Sequence, residues 1–505
     1  MNRESNKIEY LILVIYAFFT KFLVSINSIR FSEVFTDTDQ AIFFSIGKAM
    51  LNGKVLYKDV FDHKTPYIYF FNAFASLFEK NHIGLFIIEV TLLSIILIFN
   101  FKLSQIFISK TKSFISSIVL AVILSIPHIT FSYSRTEMYA IAFIIPAIFL
   151  FAKYFVKDGK SRDDEVNTFP PINMVIIGIL ATLTFMTNIR AVVIFVPFAV
   201  ALLIKLVKLK ELKNLFAVII SGLLGVIITI LPYIIYAVIT ESVEDAIYAI
   251  IVSNVNYARG SFTIDKNTFE ITLTLISENI VFFIFVFISL LSWFFLKIDK
   301  YLKYSIITAQ IITIAYVIFS NRTNPYYLVI LMPYLMSIYF LIIRLINLKL
   351  NLNKTFIYLL VSGMFLLINV FMNKDIQIRY LNCEHRAQRI NNAISTHLNK
   401  ENIKVLSYGF NPETYIYTGG VIDYKYFIIP NIPYSADRAP YIAQYEYIMN
   451  RDPDVVVYAN SSAALDMPQN MFNQIRLVLS TSYELVDEFK TNEFTGTFYI
   501  FIKKP

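Results

Sequence analysis

Asp37 and Asp39 stand one residue apart just beyond the first apolar run. Gln40 follows directly, and Asp62-His63-Lys64-Thr65-Pro66 comes later in the same stretch. A carboxylate can take a proton as a general base, and a lysine ammonium is a compact point charge for a phosphate. Two carboxylates at this spacing also offer the hard oxygens that magnesium or manganese takes. In a chain that otherwise avoids charge, ionisable groups at an apolar edge are costly and mark a candidate site. The combination predicts an enzyme whose substrate is itself anchored in a membrane. Each residue also has a structural alternative. Asp37 or Asp39 would cap a helix, and Lys64 would reach along lipid headgroups. His63 would be a satisfied interfacial residue rather than a metal ligand.

Composition sets the elements that must hold these residues. Of 505 residues 57% are hydrophobic and 16% charged, with a mean hydropathy of +0.61, too apolar for a water-soluble fold of this length. The formal charge of +8 gathers in short loops between apolar runs, the bias of a membrane protein and not of a nucleic-acid groove. The single cysteine, Cys383, excludes an intramolecular disulfide framework and a cysteine-rich metal site.

Runs of spanning length fall near 10–29, 83–106, 113–132, 136–156, 172–188, 190–206, 213–240, 275–296, 302–319, 325–346 and 354–373. They predict an α-helical integral membrane protein of about eleven transmembrane helices. The first is not read as a cleaved signal, because no small-residue cleavage site follows it. With the N-terminus inside, the inside loops carry Lys110 and Lys112; Lys153, Lys157, Lys160 and Arg162; Lys205, Lys208, Lys210 and Lys213; Lys297, Lys300 and Lys303; and Arg344, Lys349 and Lys354. Each is basic, as orientation in the cytoplasmic membrane requires. Lys21 and Glu89 lie at similar depth in the first two spans and are expected to pair.

Residues 1–373 are thus read as the membrane domain and 374–505 as a small extracytoplasmic α/β domain. Its strands are expected at 403–408, 454–458 and 498–502, with helices at 385–399 and 440–451. The first external loop, roughly 30–82, is too long for a mere connector. Ile42, Phe43, Ile46, Ala49 and Met50 recur at helical spacing after Asp39, and Asn52-Gly53 ends the pattern. A second apolar stretch runs from Tyr67 to Phe78. Both are predicted as helices lying in the membrane interface.

The order Asp37 to Gln40, apolar helix, Met50-Leu51-Asn52-Gly53, then Leu56-Tyr57-Lys58-Asp59-Val60-Phe61-Asp62-His63-Lys64-Thr65-Pro66 resembles the first loop of the membrane glycosyltransferases of GT-C fold. The branch it looks most like is that of the protein O-mannosyltransferases and the lipid A aminoarabinose transferase. The resemblance extends over about 10–373 and is strongest over 37–70. It implies an inverting enzyme that takes a sugar from a polyprenyl phosphate at the outer face of the membrane. The family's catalytic carboxylate maps onto Asp39. Its Lys-Pro-Pro lysine maps onto Lys64, although Thr65 replaces the first proline. Arg135-Thr136-Glu137 resembles the family's second acidic loop, where Glu137 would orient the acceptor or help hold a cation. Pro325-Tyr326-Tyr327, after Arg322, stands where relatives carry a His-Tyr pair; the missing histidine leaves the role of Tyr326 open.

The chemistry asks for the same residue types. Inverting transfer needs a base for the acceptor proton, here Asp39 with Asp37 as the second carboxylate. The departing lipid phosphate needs fixed cations: Lys64 first, then Arg135, Arg190 and Arg322, with His63 nearby. The arginines would equally serve as topology anchors. No cofactor is obligatory in this reading, and magnesium or manganese on the aspartates stays open. The expected partners are a polyprenyl-phosphate sugar, membrane lipid, and a glycan, lipid or protein acceptor, without nucleic acid. Two other classes remain. A glycolipid flippase would show interrupted helices, midplane charges and related halves, which the sequence does not display. An accessory subunit of envelope glycan assembly would tolerate substitutions at Asp39, Lys64 and Arg322.

Overall fold

The computed structural model describes residues 6–30, 38–78, 83–130, 135–156, 168–259, 266–320, 323–345, 353–382, 386–399, 402–409, 412, 414–417, 422–429, 432–459, 467–491 and 494–505. Asp37 and Arg322 lie outside these residues. The chain forms two compact units. One comprises Met1–Arg30, Phe86–Tyr233 and Ile264–Arg379, the other Phe31–Leu85, Ile234–Thr263 and Tyr380–Pro505.

Seven described helices are long and apolar enough to cross a membrane: Ile83–Ser104, Thr136–Phe155, Ile189–Lys208, Leu212–Ile239, Lys300–Ile318, Pro325–Arg344 and Lys354–Asp375. They make the chain a multi-pass membrane protein. The runs expected near 10–29, 113–132 and 172–188 carry the more charged or shorter helices Lys7–Val24, Lys110–Ile123 and Pro171–Phe185. The run expected as one span near 275–296 is broken. Helices Phe269–Glu278 and Ile280–Phe295 meet at 89° and count as an eighth span only if taken together. Asn279 at the break leaves the helical region, with φ −123°. Its side-chain amide donates to the Leu275 carbonyl at 3.0 Å, a local bond that competes with helix continuation.

In the first unit Lys21 and Glu89 pair as their depth predicts, 3.5 Å apart, and Asn27 donates to the same carboxylate at 3.1 Å. Helix Pro171–Phe185 lies directly against Leu212–Ile239. A Cβ on Gly178 would fall 2.3 Å from the Gly222 carbonyl oxygen, and one on Gly225 2.2 Å from that of Val175. Small residues of this kind let membrane helices pack backbone to backbone.

The second unit gathers the first loop, residues 234–263 and the C-terminal region. Its sheet comprises β1 (Val405–Tyr408), β2 (Val455–Ala459), β3 (Tyr483–Thr491) and β4 (Phe494–Lys503). The order is β1-β2-β4-β3, with β1 parallel to β2 and the β2–β4 and β3–β4 pairs antiparallel. Leu406, Val456, Ile448, Ile475 and Leu479 form its core with helices Ala439–Met449 and Gln469–Ser482. Helix Arg386–His397 buries Ile390 and Ile394. It is tied to β3 by Arg389, whose Nε and Nη2 donate to Asp487 at 3.0 and 3.1 Å. That guanidinium holds the Asp487 carboxyl below its usual range.

Candidate functional site

Asp39 lies in the first turn of helix Thr38–Leu51, where the unpaired N-terminal amides and the helix dipole favour a carboxylate. It is half-buried. The next residue fixes its helix: Gln40 is buried and donates from Nε2 to Asn72 Oδ1 at 2.8 Å. Asn72 in turn donates to the Ile68 carbonyl at 2.8 Å. A Cβ on Gly47 would fall 2.5 Å from the Ala73 amide nitrogen, so helices Thr38–Leu51 and Tyr67–Ser76 touch through backbone. Phe43 meets Tyr69 edge to face at 6.0 Å. The helix ends where expected, with Gly53 in the left-handed region at φ +86°. Gln40 and Ser45 are buried, whereas Lys48 is half-buried and Asn52 exposed.

The turn that carries Lys64 is fixed through its backbone. Tyr57 takes φ +67°, its amide donates to Val60 O at 2.8 Å, and its hydroxyl donates to the Lys64 carbonyl at 2.6 Å. Asn254 donates to the His63 carbonyl at 2.6 Å. The Phe61 amide donates to Lys425 O at 2.9 Å, and the Phe61 ring sits 5.9 Å from Tyr248 and 5.1 Å from Tyr426. Lys425 pairs with Asp245, and Tyr248 donates to Asp437 at 2.8 Å. Three separate stretches of chain therefore hold one turn. Lys64 is half-buried within it.

Asp62 is the centre of this turn. It is 2% exposed, accepting from the His63 amide at 2.8 Å and the Tyr69 hydroxyl at 2.7 Å. His63 Nδ1 lies 3.1 Å from the same carboxylate. Burial alone would raise the Asp62 pKa; His63, Lys64 and the Tyr69 hydroxyl outweigh it and bring it down to about 2. The turn thus keeps an internal anion at neutral pH, and His63, 6% exposed, is turned towards it. Tyr69 links this anion to Phe43 on the helix that bears Asp39.

A second cluster stands in the other unit. The Arg135 guanidinium lies 3.7 Å from the Tyr326 ring centroid, and Tyr326 is 4.7 Å from the Tyr327 ring. Glu137, 2% exposed, accepts from Asn188 and from the Thr136 hydroxyl, each at 3.3 Å. Arg190, two residues beyond Asn188, is half-buried in the 3-10 helix Ile189–Phe195. The structure brings Arg135 to Tyr326, and Glu137 to Asn188. Asn188 and Asn254 escaped the sequence reading because a lone asparagine beside an apolar run carries no motif. Asp62 was in view, and only its burial distinguishes it from Asp39.

Among the described residues no group of three or more His, Cys, Asp or Glu side chains is placed to hold a metal ion. An apolar cleft of about 590 Å³ opens in the helical unit, lined by Ile126, Ile129, Phe282, Phe285, Tyr339 and Ile342 among others. It lies beside the break at Asn279.

No protein-family model and no curated protein matches this sequence. Solved structures do. The aminoarabinose transferase ArnT from Cupriavidus metallidurans bound to undecaprenyl phosphate aligns with a TM-score of 0.59 at 10% identity, over 97% of each chain. The chain has the GT-C fold. ArnT in its apo state gives 0.57 at 10% identity, covering 97% of this chain and 96% of that one. An Archaeoglobus fulgidus oligosaccharyltransferase tethered with an acceptor peptide gives 0.48 at 11% identity, over 99% and 74%, too low a score to argue from. At such identities GT-C describes the architecture and leaves the chemistry to the residues.

Proposed function

We propose that this protein is a glycosyltransferase that moves a sugar from a polyprenyl phosphate to an acceptor at the outer face of the cytoplasmic membrane. The observation that carries the reading is the fixed turn holding Lys64 beside a helix whose first turn bears Asp39, within a fold shared with an enzyme bound to undecaprenyl phosphate. Asp39 takes the proton of the acceptor hydroxyl as its oxygen attacks the anomeric carbon. The bond from that carbon to the phosphate oxygen breaks on the opposite face, its electron pair leaves with the lipid phosphate, and the anomeric configuration inverts. Lys64 stabilises the charge that develops on the phosphate. Arg135, Arg190 and Arg322 add positive charge, Glu137 orients the acceptor, and no divalent cation is required. The apolar cleft beside Asn279 suits an isoprenoid chain. In this reading the chain crosses the membrane eleven times, and residues 374–505 lie outside the cytoplasm.

The test is transfer of radiolabel from polyprenyl-phosphate sugars by the purified protein, with an envelope extract as acceptor source. Wild type transfers; Asp39→Asn does not, while inserting normally. Transfer by both would remove Asp39 from the mechanism, and transfer by neither, with every donor, would defeat the enzyme reading. The 89° break at Asn279 favours a second reading as a glycolipid flippase, since interrupted helices are a mark of transporters. Lipid translocation in proteoliposomes that survives Asp39→Asn would support that alternative.

A further inference from the structure

Two lysines meet at the end of the spans away from Arg135 and Glu137. Lys102 lies in the last turn of helix Ile83–Ser104, and Lys153 in the last turn of Thr136–Phe155. Glu137 is in the first turn of that second helix, so Lys153 stands about 24 Å further along it at 1.5 Å per residue. Three rings surround the Lys102 ammonium, which is 4.6 Å from the Phe99 centroid, 5.3 Å from Tyr10 and 6.0 Å from Phe149. Phe99 and Phe149 meet edge to face at 5.9 Å, and Tyr10, on helix Lys7–Val24, packs edge to face on Phe101 at 6.0 Å. Three helices therefore build one aromatic wall around one cation.

Lys153 is exposed and close enough to Lys102 to act on it as a like charge. Lys7, also exposed, lies one turn before Tyr10 on the same helix face. Glu9 offers these lysines no relief, being buried and paired with Lys110 at 3.0 Å. Among the described residues none of the three has a carboxylate partner. Like charges gathered without an anion destabilise one another, the more so where rings replace water. The rings attract an ammonium through their faces but leave its charge uncancelled. Val14 and Phe18, one and two turns deeper than Tyr10 on its face, are exposed apolar surface. The arrangement is a group of cations at the end of an apolar track. A nucleic-acid strand would call for a longer basic track, and a free phosphate would leave the apolar track uncovered. An anionic phospholipid answers both parts, and basic pockets at the cytoplasmic ends of spans suit its headgroup.

We propose that Lys102 and Lys153, with Lys7 beside them, bind the phosphate of an anionic phospholipid at the end of the spans opposite Arg135 and Glu137. Placing that lipid in the cytoplasmic leaflet rests on the orientation set by the basic loops; the binding itself does not, and it is independent of the glycosyltransferase reading. The test is native mass spectrometry of the full-length protein in detergent, titrated with phosphatidylglycerol or phosphatidylcholine, with inorganic phosphate as competitor. Wild type should hold phosphatidylglycerol at least roughly tenfold more tightly than phosphatidylcholine. Lys102→Gln combined with Lys153→Gln should bring the two lipids to equal affinity, with the melting temperature in lipid-free detergent unchanged. Lys208→Gln combined with Lys210→Gln, a change at two exposed lysines of another basic loop, should leave the preference intact. Tyr10→Leu should weaken phosphatidylglycerol several-fold, and Tyr10→Phe, which keeps the ring, should not. Equal affinity of wild type for the two lipids, or a preference that survives the Lys102 and Lys153 changes, would overturn the proposal. So would an equal loss from the Lys208 and Lys210 changes, which would make the effect one of diffuse charge, or displacement of the lipid by inorganic phosphate.

Discussion

Asp39 and Asp62 belong to the same compact unit and hold opposite positions. Asp39 stands half-exposed in the first turn of a helix. Asp62 is sealed in, held by an amide, a hydroxyl and a histidine, with its pKa lowered to about 2. A carboxylate so stabilised is a poor base, because taking a proton would forfeit all of those interactions. The contrast gives the second carboxylate an architectural part and leaves the first as the proposed base, although both sit in the same short stretch of sequence.

The largest test of that contrast is catalytic. Asp39→Asn should lower transfer by about 10²–10⁴-fold, the usual worth of a general base, with the melting temperature unchanged. Lys64→Ala should weaken binding of polyprenyl phosphate by roughly ten- to a hundredfold, as expected for loss of one charge-assisted contact, again without loss of fold. Asp62→Asn should do the reverse, destabilising the protein by on the order of 3 kcal/mol because it leaves buried partners uncompensated. Asp62 also has a signature in acid. Its folded pKa of about 2 lies below the unfolded value of about 4. Its stabilisation is therefore present above about pH 4 and is lost as pH falls towards about 2, on the order of 2 kcal/mol in all. Asp62→Asn should flatten that limb of an acid-denaturation curve. Tyr69→Phe removes a single donor from the same carboxylate and should cost about 1 kcal/mol, with transfer near wild type. Equal losses of activity from Asp39→Asn and Tyr69→Phe would erase the distinction between the two aspartates.

Periodicity and punctuation made much of this legible. Asn52-Gly53 does end the helix begun at Thr38, and the apolar stretch after Pro66 does form a helix, Tyr67–Ser76. Matched depth predicted the Lys21–Glu89 pair, and alternating apolar runs located β1, β2 and β4. β3 escaped notice because Glu484, Asp487, Glu488 and Lys490 interrupt its apolar residues. It is an edge strand, and charge there blocks unwanted pairing. The break at Asn279 was hidden inside a run that reads as uniformly apolar. The site was legible as residue types but not as roles. Asp39 and Asp62 are the same letter, and burial, set by residues as distant as Asn254 and Lys425, separates them. Asp37 and Arg322 lie outside the described residues.

The turn that presents Lys64 is completed by Asn254 and Lys425, so its three parts leave the ribosome far apart in time. Domains generally fold as they emerge, yet this unit must wait for its third segment. Between the first and second parts, and again between the second and third, helices of the other unit must be threaded into the bilayer. The turn that carries Lys64 is therefore fixed only after the intervening helices have been delivered to the membrane. A chain whose synthesis stalls before residue 425 would carry every residue of the turn and none of its final bracing, which builds into biogenesis a delay between acquiring the reactive groups and setting them to work.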